Sequence, residues 1–187
     1  MAGGPSVKGR DLAKPAIDRM ALARTGIGRQ PHSFVDKQNR TLRIVLFEDR
    51  MIEPVVRMMF SLERGLASGL PPHRDEECLK WIEEVLRTGI HLVAIDPMGV
   101  PLGQAILFPI DGSTCELMAV VTQSHRNLGL GTQLTRQAMI LARDLGFSRI
   151  WLSLGMGNRV ARHVYQSCGF KAITSGDAEE LEMVAEL

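Results

Sequence analysis

The residues best placed by type and spacing to do chemistry lie in QSHRNLGLGTQL, Gln123 to Leu134. Gly129 and Gly131 stand one residue apart, Arg126 comes three places before the first, and Thr132 opens a run with helical spacing. The first turn of a helix has unpaired N–H groups and a partial positive charge. A turn that lacks side chains at that point lets a phosphate or diphosphate approach the backbone. Arg126 adds a full charge and Thr132 a hydroxyl. Two familiar nucleotide loops do not fit. The G-x-x-x-x-G-K-[ST] pattern lacks its lysine, and the dinucleotide fingerprint would need a third glycine where Leu134 stands. The loop alone leaves a second reading open, a tight strand-to-helix connection with no ligand.

Such a turn works only if a strand delivers it and a helix leaves it. Thr114–Val121, TCELMAVV, reads as the strand. TQLTRQAMILARDLG reads as the helix, with Leu134, Ala138, Leu141 and Leu145 on one face and Gly146 as its stop. SRIWLSL, 148–154, is the next strand, so strand, helix and strand form a parallel crossover. Upstream, TLRIVLF (41–47) reads as a strand. Two helices follow, one around Met51, Val55, Met58, Met59 and Leu62 with Pro54 in its first turn, the other from Asp75 to Leu86. HLVAIDPMGVPLGQAILFPI is a hairpin turning at Asp96-Pro97-Met98-Gly99. NRVARHVYQSCGF is a short helix capped by Asn158 and ended by Gly169. KAIT and ELEMVAEL close the chain as a hairpin around Gly176-Asp177. These elements predict an α/β (α+β) fold with a mixed sheet of about seven strands and helices on both faces.

Composition sets limits. The chain has 187 residues, 45% hydrophobic and 23% charged, enough for one domain with a substantial core. Its formal net charge of +1 does not suggest nucleic-acid binding. Residues 1–40 differ, with Lys8, Arg10, Lys14, Arg19, Arg24, Arg29, Lys37 and Arg40 against Asp11, Asp18 and Asp36. They are read as a basic, flexible extension with a short helix between Leu12 and Ala23, and residues 41–187 as the domain. Three scattered cysteines suggest neither a disulfide framework nor a metal site, and a reducing cytoplasm is the expected location. No apolar run reaches the ~20 residues of a membrane span.

Arg126-Asn127-Leu128-Gly129-Leu130-Gly131 resembles the R/Q-x-x-G-x-G/A signature of the GNAT N-acetyltransferase superfamily. Asn158, Ala161, Tyr165, Gly169 and Phe170 resemble its N-x-x-A-x-x-x-Y-x-x-x-G-F pattern, about thirty residues further on. Val100–Ala105 resembles its third strand, so the likeness runs from about Thr41 to Leu187. It implies a GNAT-like, mostly antiparallel sheet, acetyl-CoA as cosubstrate and an amine acceptor. The implied activity is acetyl transfer from the thioester to a primary amine by direct attack. By the same resemblance the diphosphate would lie on Arg126, Asn127, Leu128, Gly129, Leu130, Gly131 and Thr132, with Val121 and Asn158 beside it. Tyr165, the only tyrosine, would lie near the thioester sulfur as the acid.

Glu116 is the candidate base, an acid in an otherwise apolar strand leading to the loop, where burial would make it a better proton acceptor. Its facing depends on whether the strand carries a bulge, and an exposed or ion-paired acid is the competing reading. His125, His163 and Cys168 read as packing or solvated residues, and Trp81 and Trp151 as core. Glu48, Asp49, Glu53, Asp75, Glu76, Glu77, Glu83 and Glu84 make the first two helices acidic. They read as solvated faces or as an attraction for a cationic amine. The alternative function is an acyl-CoA-binding sensor or interaction module without catalysis. No metal is implied, and a homodimer is left open.

Overall fold

The computed structural model describes residues 19–64, 71–173 and 180–187. Among the described residues eight strands form one sheet in the order β1-β2-β3-β4-β5-β6-β8-β7. They are β1 (His32–Val35), β2 (Thr41–Leu46), β3 (Ile90–Ile95), β4 (Pro101–Pro109), β5 (Thr114–Val121), β6 (Arg149–Gly155), β7 (Lys171–Ala172) and β8 (Glu180–Glu186). Every neighbouring pair is antiparallel except β5 and β6. The parallel pair is the predicted crossover, joined by the long helix α5 (Leu130–Asp144). The other helices are α1 (Arg19–Arg24), α2 (Gly26–Arg29), α3 (Ile52–Phe60), α4 (Asp75–Thr88) and α6 (Arg159–Ser167).

Alternation along the strands sends apolar side chains to two cores. On one face Leu117, Ile150, Leu152 and Leu154 pack with Leu130, Leu134, Ala138 and Leu141 of α5. On the other, Val93, Ile106 and Val120 pack with Val55, Met58 and Met59 of α3 and Cys78, Ile82 and Val85 of α4. The methionines of the first predicted helix are therefore core residues. Pro54 sits in the first turn of α3, where its missing N–H leaves no intrahelical bond unmade.

The sheet starts earlier than the boundary drawn at Thr41. Of the segment read as an extension, β1 pairs along β2 from His32↔Ile44 to Val35↔Thr41, and Ile27 is buried in the first core. The four-residue alternation HSFV and the turn residues Asp36, Gln38 and Asn39 carried that signal, but the basic composition around them outweighed it. The helix expected between Leu12 and Ala23 is described only from Arg19, where α1 runs. The turn at Gly176-Asp177 lies outside the described residues, although β7 and β8 pair antiparallel as expected.

One polar pair is buried in the second core. His91 Nδ1 lies 2.6 Å from Gln104 Nε2, and the two residues are 5% and 0% exposed. The Gln104 side-chain amide thus holds the ring through Nδ1. Burial pushes the His91 pKa down to about 4. The unfolded chain binds this proton near pH 6.5 and the folded one does not. The stabilisation is complete above that value and is lost as pH falls through 6.5 towards 4. Between pH 7.5 and 5 the wild type should lose about 2 kcal/mol at this site, and His91→Asn should be less pH-dependent by that amount. Equal slopes for both proteins in urea titrations would refute the assignment.

Candidate active site

The parallel strands β5 and β6 pair only from Thr114↔Arg149 to Glu116↔Trp151. Beyond that, Leu117–Val121 keeps its pairing with β4, and Leu152–Gly155 keeps its pairing with β8. The two strands thus diverge into a wedge, with Glu116 and Trp151 at its closed end. Both strands run towards the open end, where α5 and α6 begin.

The turn that follows β5 is built to leave backbone N–H groups bare. Thr122 anchors it through its N–H and its hydroxyl, both donated to Leu102 O at 2.9 Å. Leu102 is the extra residue where the β3–β4 register shifts between Ala94 and Ile95. A short 3-10 turn over Gln123–His125 follows. Asn127 then takes φ 63°, and Gly129 takes φ 90° as it caps α5 without a side-chain bond. From Asn127 to Thr132, no backbone N–H finds a hydrogen-bond partner among the described residues. Six successive free amides at the start of a fifteen-residue helix direct partial positive charge outward from the turn, as an anion requires.

The same residues leave room for a ligand. A Cβ on Gly131 would meet nothing closer than Val121 Cγ2 at 3.9 Å. Gly131 lies inside the helix and is not at positive φ, so neither packing nor backbone conformation requires a glycine there. The space fits a diphosphate pressed against the amides. Leu130 is 1% exposed, with its side chain packed in the first core. Arg126 is paired with Glu63 at 3.0 Å, an ion pair that ties the turn to the chain just after α3. Asn158 serves as a cap, its Oδ1 accepting the Ala161 N–H at 3.1 Å. An open pocket of ≈ 470 Å³ beside the turn is lined by Ser61, Thr122, Gln123 and Ser124.

Tyr165 is buried on α6, with its ring 5.6 Å from that of Phe170. Its hydroxyl makes no hydrogen bond among the described residues. Burial, with the nearby Cys168, pushes its pKa up to about 12, so the phenol keeps its proton. Cys168 is half-buried and its thiol is likewise pushed up, chiefly by burial, which leaves it a poor nucleophile. The β4–β5 register is regular from Gly103↔Val121 to Pro109↔Cys115. Glu116 therefore has no bulge to turn it and shares the α3/α4 face with Met118 and Val120. Tyr165 belongs to the other core. The structure thus puts the two candidates on opposite faces of the sheet, with the wedge opening between β5 and β6.

The acidic helices are largely matched by their own arginines: Glu48 with Arg50, Glu53 with Arg57, Asp75 with Arg64, Glu77 with Arg74 and Glu84 with Arg87. These exposed, short-range pairs favour the solvated-face reading. Burial, followed by repulsion from Arg40, lowers the His125 pKa, while its Nδ1 sits 3.1 Å from Thr122 Oγ1. It is a packing residue of the turn. Among the described residues there is no metal-ligating cluster and no helix long and apolar enough to cross a membrane.

Residues 56–170 match the profile of the Acetyltransferase (GNAT) family. A comparison with curated proteins finds no match. Among solved structures, the GNAT domain of S. lividans PAT superposes with TM-score 0.69 at 14% identity, over 84% of this chain and 97% of that one. An acetyltransferase of the GNAT family from Streptococcus pneumoniae gives 0.62 at 22% identity, over 78% and 99%. Spermidine N-acetyltransferase from Vibrio cholerae, solved with CoA and spermine, gives 0.58 at 15% identity, over 78% and 95%.

Proposed function

Because the chain belongs to the acetyltransferase (GNAT) family, we propose that it is an acetyl-CoA-dependent N-acetyltransferase acting on a primary amine by direct attack. The observation that carries this reading is the row of six unpaired amides at the mouth of the β5–β6 wedge. The amides of Asn127–Thr132 bind the diphosphate, beside Arg126, whose charge is paired with Glu63. Val121 forms the floor below Gly131, and Asn158 fixes the start of α6 at the wedge. Among the described residues the edge of β5 beyond Glu116 has no partner strand on the wedge side, so its main chain is available to the amide-bearing arm of the cosubstrate. Acetyl-CoA supplies an acyl group already activated as a thioester.

The protein's own groups then handle position and protons. Glu116, at the closed end of the wedge, takes the proton that the amine must lose. Tyr165 holds its proton at every physiological pH and donates a hydrogen bond to the departing sulfur. Glu116→Gln should lower kcat roughly tenfold, less than the usual ~10²-fold or more for a general base, since water in an open wedge can share the proton. An unchanged kcat would remove Glu116 from the mechanism.

The test of the function is coenzyme A release across a panel of amines: polyamines, amino acids, aminoglycosides and lysine peptides. Polyamines enter because one structural neighbour is a spermidine N-acetyltransferase. Turnover on one class names the acceptor. Tight acetyl-CoA binding with no turnover on any amine would instead favour the non-catalytic acyl-CoA-binding module.

A further inference from the structure

The β1–β2 turn reaches across the top of the sheet and touches the anion turn. Lys37 N–H donates to Leu128 O at 3.2 Å. The turn is organised by one carboxylate, Asp36, whose side chain is fully buried. Its Oδ1 accepts the N–H groups of Gln38 (2.9 Å) and Arg40 (3.0 Å). Its Oδ2 accepts Arg40 Nε (2.8 Å) and Nη2 (2.6 Å). Burial works against the charge, yet the guanidinium and the two main-chain donors hold this carboxyl below its ordinary pKa. Asn39 completes the turn at φ 62° and donates its N–H to Asp36 O at 3.0 Å.

The contact with Leu128 O sets the direction of a second group. A trans peptide is planar, and its C=O and N–H point opposite ways. Leu128 O and Gly129 N belong to one peptide. Fixing the carbonyl towards Lys37 therefore aims the Gly129 N–H away from the hairpin, into the row of free amides. Neither Leu128 nor Gly129 can do this through a side chain, and the cap of α5 makes no side-chain bond. The hairpin lies outside residues 56–170, the span matched by the family profile.

We propose that Asp36 is a positioning residue for acyl-CoA binding. Its carboxylate shapes the β1–β2 turn so that the Lys37 N–H locks the Leu128–Gly129 peptide with its amide facing the diphosphate. The inference rests on the functional reading above. Its test combines acetyl-CoA titration calorimetry with the Gly129 amide resonance of the ligand-free protein. Lys37→Pro removes the donor alone, and Asp36→Ala removes the organiser. Each should raise Kd roughly tenfold, the size of one hydrogen bond to a charged acceptor, shift or broaden the Gly129 resonance, and leave the KM of the amine unchanged. Asp36→Asn keeps Oδ1 as acceptor for Gln38 and Arg40 and should recover most of the affinity. Lys37→Ala, which keeps the N–H, should lose less than Lys37→Pro.

A Gly129 resonance unmoved in Asp36→Ala, or a loss in Lys37→Ala equal to that in Lys37→Pro, overturns the proposal. Should Lys37→Pro fail to fold, the comparison of Asp36→Ala with Asp36→Asn decides alone. If the wild type binds no acetyl-CoA, the functional reading falls, and the ligand half of this proposal with it, while the Gly129 resonances still report the hairpin contact.

Discussion

Replacing Tyr165 by Phe should lower kcat about 10²-fold while leaving acetyl-CoA affinity and folding stability where they were. The kinetic part follows from the role. A positioned proton donor typically contributes ~10²–10⁴-fold, and a thiolate is a good enough leaving group to put this case at the low end. The stability part follows from the structure. The ring packs on Phe170 and both are buried, which Phe reproduces, and the lost hydroxyl has no hydrogen bond among the described residues. Removing an unpartnered hydroxyl should shift stability by less than ~0.5 kcal/mol. The pH profile adds a third constraint. With its pKa at about 12, Tyr165 stays protonated through the whole working range, so no falling limb below pH 10 should vanish in Tyr165→Phe. A variant with wild-type kcat would end the case for the phenol. A loss confined to KM would reassign it to binding.

Much of this was legible from residue order. Period-3.6 patterns located α3 to α6 and strand-like runs located β2, β5 and β6, while β3 and β4 showed as apolar runs around a turn, in keeping with strands buried along almost their whole length. Asn158 was readable as a cap because its side chain is a short acceptor just ahead of a helical run, and it does bond Ala161 N. What was not legible depends on contacts between distant parts. The Glu63–Arg126 pair and the Lys37–Leu128 bond join residues 63 and 91 positions apart, and nothing local marks either. The wedge was invisible for a different reason. The sequence of β6 is as strand-like beyond Trp151 as before it, yet its pairing with β5 stops there. The facing of Glu116 needed the regular β4–β5 register before it could be assigned.

Gly131→Val should weaken acetyl-CoA binding by about two orders of magnitude and leave the fold as stable as before. Glycine costs a helix interior roughly 1 kcal/mol relative to alanine, and valine costs somewhat less. The substitution is thus neutral or mildly stabilising for α5, and the nearest atom to a new Cβ, Val121 Cγ2, is a comfortable 3.9 Å away. The same space is where a phosphate oxygen must come within ~3 Å of an amide nitrogen, and a branched side chain there excludes it. Gly131→Ala should fall between, near tenfold, because a single methyl can be skirted. Gly129→Val is the weaker probe. At φ 90° a side chain strains the backbone by roughly 1–2 kcal/mol, so lost affinity there mixes a distorted turn with a blocked one. The comparison at 131 separates them: binding lost with the melting temperature intact means that the glycine serves a ligand. If Gly131→Val still binds acetyl-CoA at wild-type affinity, no diphosphate rests on these amides, and the two glycines are a strand-to-helix connection and nothing more.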